Sequence, residues 1–101
     1  MRLEISRSAV SDLIAHRRWL HHEAGSDVAE RMLAGADRAF AQLIVTPGLG
    51  SPVATRLADL RKWRVAGFPQ LLVLYRVDPD VLTVIRVLHA AQDWLALLDS
   101  D

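Results

Sequence analysis

Leu71-Leu72-Val73-Leu74-Tyr75-Arg76-Val77 is the stretch on which the fold turns. A half-exposed strand alternates apolar and polar residues, and this run does not. It therefore predicts a central strand with both faces covered. In a chain of 101 residues the second cover has few sources, and a partner molecule is one of them.

Reading outward, Asp78-Pro79-Asp80 is a turn. Val81 to His89 follows as the last strand. Strand alternation puts Val81, Thr83, Ile85, Val87 and His89 on one face, and Leu82, Val84, Arg86 and Leu88 on the other. On the other side, Ala66-Gly67-Phe68-Pro69 ends a strand over Leu60-Arg61-Lys62-Trp63-Arg64-Val65. A connector from Pro47 to about Thr55 carries Pro47, Gly48, Gly50 and Pro52. Before it, Val28, Ala29, Met32, Leu33, Ala36, Ala39, Phe40, Leu43 and Ile44 recur at steps of three and four, the mark of a helix with one apolar face. Its cap is an Asp27/Glu30 box or Ser26. A preceding helix from about Ala9 to His22, capped by Ser6 or Ser8, carries Val10, Leu13, Ile14 and Leu20 on one stripe. The short Ala24-Gly25-Ser26 link predicts a helical hairpin. Arg2 to Ser6 alternates as a first strand, and Asp93 is placed to cap a short terminal helix.

The expected fold is thus α+β in the order β-α-α-β-β-β. The helical hairpin covers one face of a small, mostly antiparallel sheet, with an optional C-terminal helix. Residues 1–101 are expected to form a single domain. The chain is 51% hydrophobic and 24% charged and has no cysteine, which excludes disulfides, thiolate metal sites and a cysteine nucleophile. No apolar run is long enough to span a bilayer, and no apolar segment follows Arg2 as a signal peptide requires. No membrane association and a cytoplasmic location are the expectations.

Twelve basic residues balance twelve acidic ones, so no general attraction to nucleic acid is expected. Locally, Arg56, Arg61, Lys62, Arg64 and Arg76 face only Asp59 between Pro52 and Val77, a local charge of +4. Such a run either guards a strand edge or binds a partner. Trp63 between Lys62 and Arg64 is either an anchor in an interface or a core residue with solvated neighbours. His89 ends the last strand near Arg86 and four residues before Asp93. It is either a general acid in a cleft or a side chain tied to Asp93. His16, His21 and His22 lack metal-ligand spacing and are expected to be solvated, so no metal or cofactor is predicted. Nucleotide-binding loops and a hydrolase elbow are missing.

These pieces in their order resemble the RelE/ParE toxins of type II toxin–antitoxin systems, closer to the ParE branch. The resemblance runs from Ser6 to Leu98. It is carried by Ser6 through Ala9 to Asp12-Leu13, Leu43 with Thr46-Pro47-Gly48-Leu49-Gly50, Leu60-Arg61-Lys62-Trp63-Arg64-Val65 with Gly67-Phe68, Val73-Leu74-Tyr75-Arg76, and Arg86-Val87-Leu88-His89 with Asp93. It implies a βααβββ fold and a growth-inhibiting toxin encoded beside a ParD-like or other antitoxin. ParE-type members act on DNA gyrase; RelE-type members cleave mRNA on the ribosome with basic residues and a tyrosine or histidine. The nuclease pattern is incomplete here. Gln70 and Gln92 stand where those nucleases carry arginines, and the only tyrosine is Tyr75. The resemblance therefore implies a gyrase poison rather than an enzyme, with a ribosome-dependent mRNA endonuclease as the alternative. In that alternative Arg61, Arg64, Arg86 and His89 are the catalytic candidates. The expected target-binding surface combines Arg61, Lys62, Trp63 and Arg64 with Arg86, His89 and Asp93. Trp19, Leu20 and Ile44 are surplus apolar residues on the hairpin, where an antitoxin helix is expected to dock, with an extended tail adding a strand at the sheet edge.

Overall fold

The computed structural model describes residues 1–56 and 59–99. Its elements are β1 (Arg2–Ile5), α1 (Arg7–Ala24), α2 (Ser26–Val45), a 3-10 turn (Pro47–Leu49), β2 (Ser51–Pro52), β3 (Leu60–Val65), β4 (Phe68–Val77), β5 (Val81–His89) and α3 (Trp94–Asp99). The strands form one sheet in the order β1-β5-β4-β3-β2. The pairings β2–β3, β3–β4 and β4–β5 are antiparallel and β1–β5 is parallel. The fold is α+β, as the periodicities predict. The connector contributes the two-residue β2, which its Pro and Gly content concealed.

Ser6, not Ser8, caps α1: its Oγ accepts a hydrogen bond from Ala9 N–H at 3.0 Å. At the other end of α1 a single residue, Gly25, separates the helices. Its φ of 96° lies in the region that favours glycine. Gly25 is also the residue before the first turn of α2, which has no side-chain cap. The expected capping box does not form, and Glu30 instead accepts from Arg17 of α1.

The inward stripe of α1 is offset from the expected one. Ala9 is buried, and Leu13, His16 and Leu20 are half-buried, whereas Val10 and Ile14 are exposed. Positions 9, 13, 16 and 20 follow the three-to-four step, and 10 and 14 lie about 100° round the helix. On α2 the expected face holds: Ala29, Met32, Ala36, Ala39, Phe40 and Leu43 are buried.

The main core lies between the helices and the sheet. Met32, Phe40 and Leu43 meet Leu71, Val73 and Tyr75 of β4 and Leu82, Val84 and Val87 of β5. A second core lies on the opposite face, where Leu60, Leu74 and Leu88 are covered by Leu98, with Trp94 and Leu97 beside it. The central strand thus has both faces covered. The chain's own α3 contributes to the second cover, so the structure does not need a partner for it.

The expected faces of β5 are also revised. Leu74 pairs with Arg86 but Tyr75 with Val84, so Ile85 is an extra residue. The bulge breaks the alternation. Leu82, Val84 and Val87 join the main core, while Ile85 and Leu88 turn to α3.

Candidate functional site

Arg86 directly follows the extra residue of β5 and reaches α1. Its guanidinium forms two bonds to Asp12 of α1, Nε to Oδ2 at 2.8 Å and Nη2 to Oδ1 at 2.9 Å. Asp12 Oδ2 also accepts from Val87 N–H at 2.9 Å. One turn further along α1, His16 Nε2 donates to Val87 O at 2.8 Å. Ser6 Oγ donates to Ile85 O at 2.6 Å. Backbone groups around the bulge are therefore satisfied by three polar residues of the α1 end of the chain, as buried peptide groups require. His16 is part of this clamp and not a solvated helix residue. From the sequence, His16 is expected only as solvated and Asp12 enters only as part of the family-like stretch; their spacing of four beside an apolar stripe is the signal that joins them.

The basic strand β3 splits its side chains between the two faces. Lys62 lies beside Leu74 on the α3 side, and its Nζ stands 5.7 Å from the Trp94 ring centroid. That is cation–π range. Arg64 shares this side, opposite Leu72, and donates to Pro69 O. Ser51, Lys62, Trp63, Arg64 and Leu72 line a hollow of about 250 Å³ there. Arg61 takes the helix side with Tyr75, and its Nη1 donates to Gly50 O at 2.7 Å. Trp63 is half-buried against the main core.

His89 is elsewhere. It pairs with Leu71 and lines a slot of about 260 Å³ with His16, Trp19, Leu20 and Phe68. Its Nδ1 accepts from Ala91 N–H at 3.1 Å, and its own N–H donates to Gln92 Oε1. The chain's exit is therefore tied at Ala91 and Gln92. Asp93 is exposed, and its carbonyl accepts from Leu97 N–H in α3. Tyr75 is fully buried. Its hydroxyl donates to Pro47 O at 2.7 Å and accepts from Gly50 N–H at 2.8 Å. Burial pushes its phenol above the usual value, although Gly50 and the charge of Arg61 oppose the shift.

The seven residues expected to form one surface thus fall on two. Lys62 and Arg64 face the α3 side; Arg61, Trp63, Arg86 and His89 lie on the helix side, separated from one another, and Asp93 is exposed just before α3. Of the hairpin residues, Trp19 and Leu20 border the His89 slot. Ile44 lies at the far end of α2, half-buried on the main core. Among the described residues no cluster of three or more His, Asp or Glu is placed to hold a metal. No helix among them is long and apolar enough to cross a membrane.

Comparison with known proteins places this geometry in a family. A search of curated protein sequences found no significant match. Among solved structures, a chain of the chromosomal ParDE TA system from P. aeruginosa superposes with a TM-score of 0.75 at 17% identity, covering 88% of this chain and 95% of that one. A YoeB/ParE toxin from Agrobacterium tumefaciens superposes with a TM-score of 0.63 at 21% identity, covering 88% and 98%. At these identities the likeness is one of fold. The sequence itself matches the model of the ParE toxin of type II toxin-antitoxin system, parDE, over residues 3–94. The chain belongs to the ParE toxin family of type II toxin–antitoxin systems.

Proposed function

We propose that this toxin stops growth by binding DNA gyrase, that it does so without cutting RNA, and that a ParD-like antitoxin encoded beside it holds it inactive. In this reading residues 1–101 act as one toxin domain in the cytoplasm, and the target meets the Lys62–Arg64 side of the sheet. One observation carries the choice against a nuclease. His89, the best candidate for an acid, faces the helices, whereas Lys62 and Arg64 face the other way. A general acid and the cations that stabilise a phosphoryl transition state must converge on one phosphate, within about 3 Å of its oxygens. Arg86 is held by Asp12 and Arg61 by the Gly50 carbonyl, and the one tyrosine is locked in the core. The antitoxin reading is supported by family membership and by the ParDE pair in the name of the P. aeruginosa structure.

The test is expression of the chain alone, with DNA damage response, gyrase supercoiling and mRNA 5′ ends followed together. Induced DNA damage and impaired supercoiling with unchanged mRNA ends are expected. Intact DNA with new mRNA 5′ ends would sink the gyrase reading.

A further inference from the structure

We infer that a groove crossing the β3–β4 turn seats an acidic segment of the antitoxin that carries one bulky apolar side chain. The inference rests on the antitoxin reading above and adds the site and the chemistry of its occupant. The His89 slot is one half of the groove, with walls from Trp19, Leu20 and Phe68. Gly67 and Phe68 are shared with a second hollow of about 450 Å³, which lies between α2 and the turn and is lined by Arg31, Ala34, Arg38 and Ala66. Gly67 and Phe68 border both, so the two hollows adjoin across the turn. Small residues let α2 approach the sheet closely here. A Cβ on Gly35 would stand 3.1 Å from Val65 Cγ1 and 3.3 Å from Ala66 O.

The two halves differ in character. Trp19, 63% exposed, and its neighbours offer an apolar slot large enough for one bulky side chain. His89 adds a donor: with Nδ1 accepting from Ala91, the neutral ring carries its proton on Nε2. The other half is cationic. Arg31 and Arg38 form no ion pair among the described residues, and Asp27, one turn before Arg31, does not pair with it. Glu30 is engaged by Arg17. Two uncompensated guanidiniums beside an apolar slot complement carboxylates flanking an apolar anchor. Nucleic acid fits less well. Its binding rests on many phosphate contacts, and here two cations adjoin a largely apolar slot in a chain of zero net charge.

Spacing sharpens the match. Seven residues of helix separate Arg31 from Arg38 by about 10 Å. An extended segment rises about 3.3 Å per residue, so its two acids stand about three residues apart.

The full chain and the protein encoded beside it provide the test, with affinity measured at low and at raised salt. R31Q/R38Q is expected to weaken binding about 10-fold or more at low salt and to flatten the salt dependence. Trp19→Ala is expected to weaken it about 10-fold at either salt. R2Q/R7Q, an equal loss of charge away from the turn, should stay within about 2-fold of the unaltered chain. If R31Q/R38Q leaves both affinity and salt dependence unchanged, the groove is wrong while the antitoxin reading stands. If the unaltered chain does not bind its neighbour, both fall. If R31Q/R38Q loses affinity only for a duplex DNA probe, the occupant is nucleic acid and the inference is overturned.

Discussion

Tyr75 ties the connector to the sheet, and little can replace it. Its hydroxyl bridges the Pro47 carbonyl and the Gly50 N–H, while Arg61 holds the Gly50 carbonyl. A Cβ on Gly50 would lie 2.4 Å from that hydroxyl, so Gly50→Ala must push the connector off the sheet. Tyr75→Phe strands a buried donor, and its expected cost in denaturant unfolding is about 1–3 kcal/mol. The linkage has a definite sign. The folded pKa is raised, so the folded state keeps the proton after the unfolded state has lost it. Stability is therefore unaffected below about pH 10, the usual tyrosine value, and declines as pH rises beyond it. That alkaline limb should be weaker in Tyr75→Phe, and an unchanged limb would refute the assignment. Asp12 invites a second measurement. The Asp12 and Arg86 side chains are only 11% and 15% exposed, unlike the surface pair Arg2–Glu4. Asp12→Asn leaves a largely buried guanidinium without its counter-charge and is expected to cost about 3 kcal/mol. Glu4→Gln should cost under about 1 kcal/mol. Equal effects of the two would deny the clamp its role.

At the scale of elements, the second core depends on a helix of six residues. α3 brings Leu98 onto Leu60, Leu74 and Leu88, and Trp94 to Lys62. Leu98→Ala should destabilise the fold by about 2–3 kcal/mol. A chain ending at Asp93 should bind more of a hydrophobic dye than the full chain; equal dye binding would mean α3 is not the cover. The elements also show what the sequence could reveal. α2 was legible because its apolar positions keep one period and its alanines lie on the contact face. The continuous apolar run of β4 correctly demanded two covers, but run length alone does not name their source. α1 was misread because two of its polar residues, Asp12 and His16, serve the sheet and not solvent. Those residues answer the bulge of β5. The bulge has no mark in Val84-Ile85-Arg86-Val87, where no glycine interrupts the pattern, so the change of face from Val87 onward lay beyond a period-two reading. Strand order decided the rest, since β4 stands between the two basic strands.

Across the whole molecule, zero net charge conceals two separate basic surfaces on opposite sides of a thin sheet. Arg31 and Arg38 flank the turn on the helix side, and Lys62 and Arg64 line the hollow beside α3. A toxin that must be both restrained and active can divide those tasks between two such surfaces. Loss of restraint and loss of toxicity then become separable by mutation. Lys62→Glu and Arg64→Glu reverse charge at the proposed target side. Each is expected to relieve growth inhibition, since charged interface residues commonly contribute about 2 kcal/mol or more when desolvated. Neither should disturb antitoxin binding. R31Q/R38Q should leave growth inhibition by the chain alone intact but weaken its neutralisation when the antitoxin is co-expressed. His89→Gln tests the chemistry. If the chain transfers no proton, toxicity should persist; a nuclease would lose roughly 100-fold or more in cleavage, the usual scale for a general acid. Growth curves at matched expression, with folding checked by thermal melts, read out all of these variants. Toxicity that survives Lys62→Glu and Arg64→Glu but vanishes with His89→Gln would move the active surface to the helix side of the sheet and make the chain an enzyme.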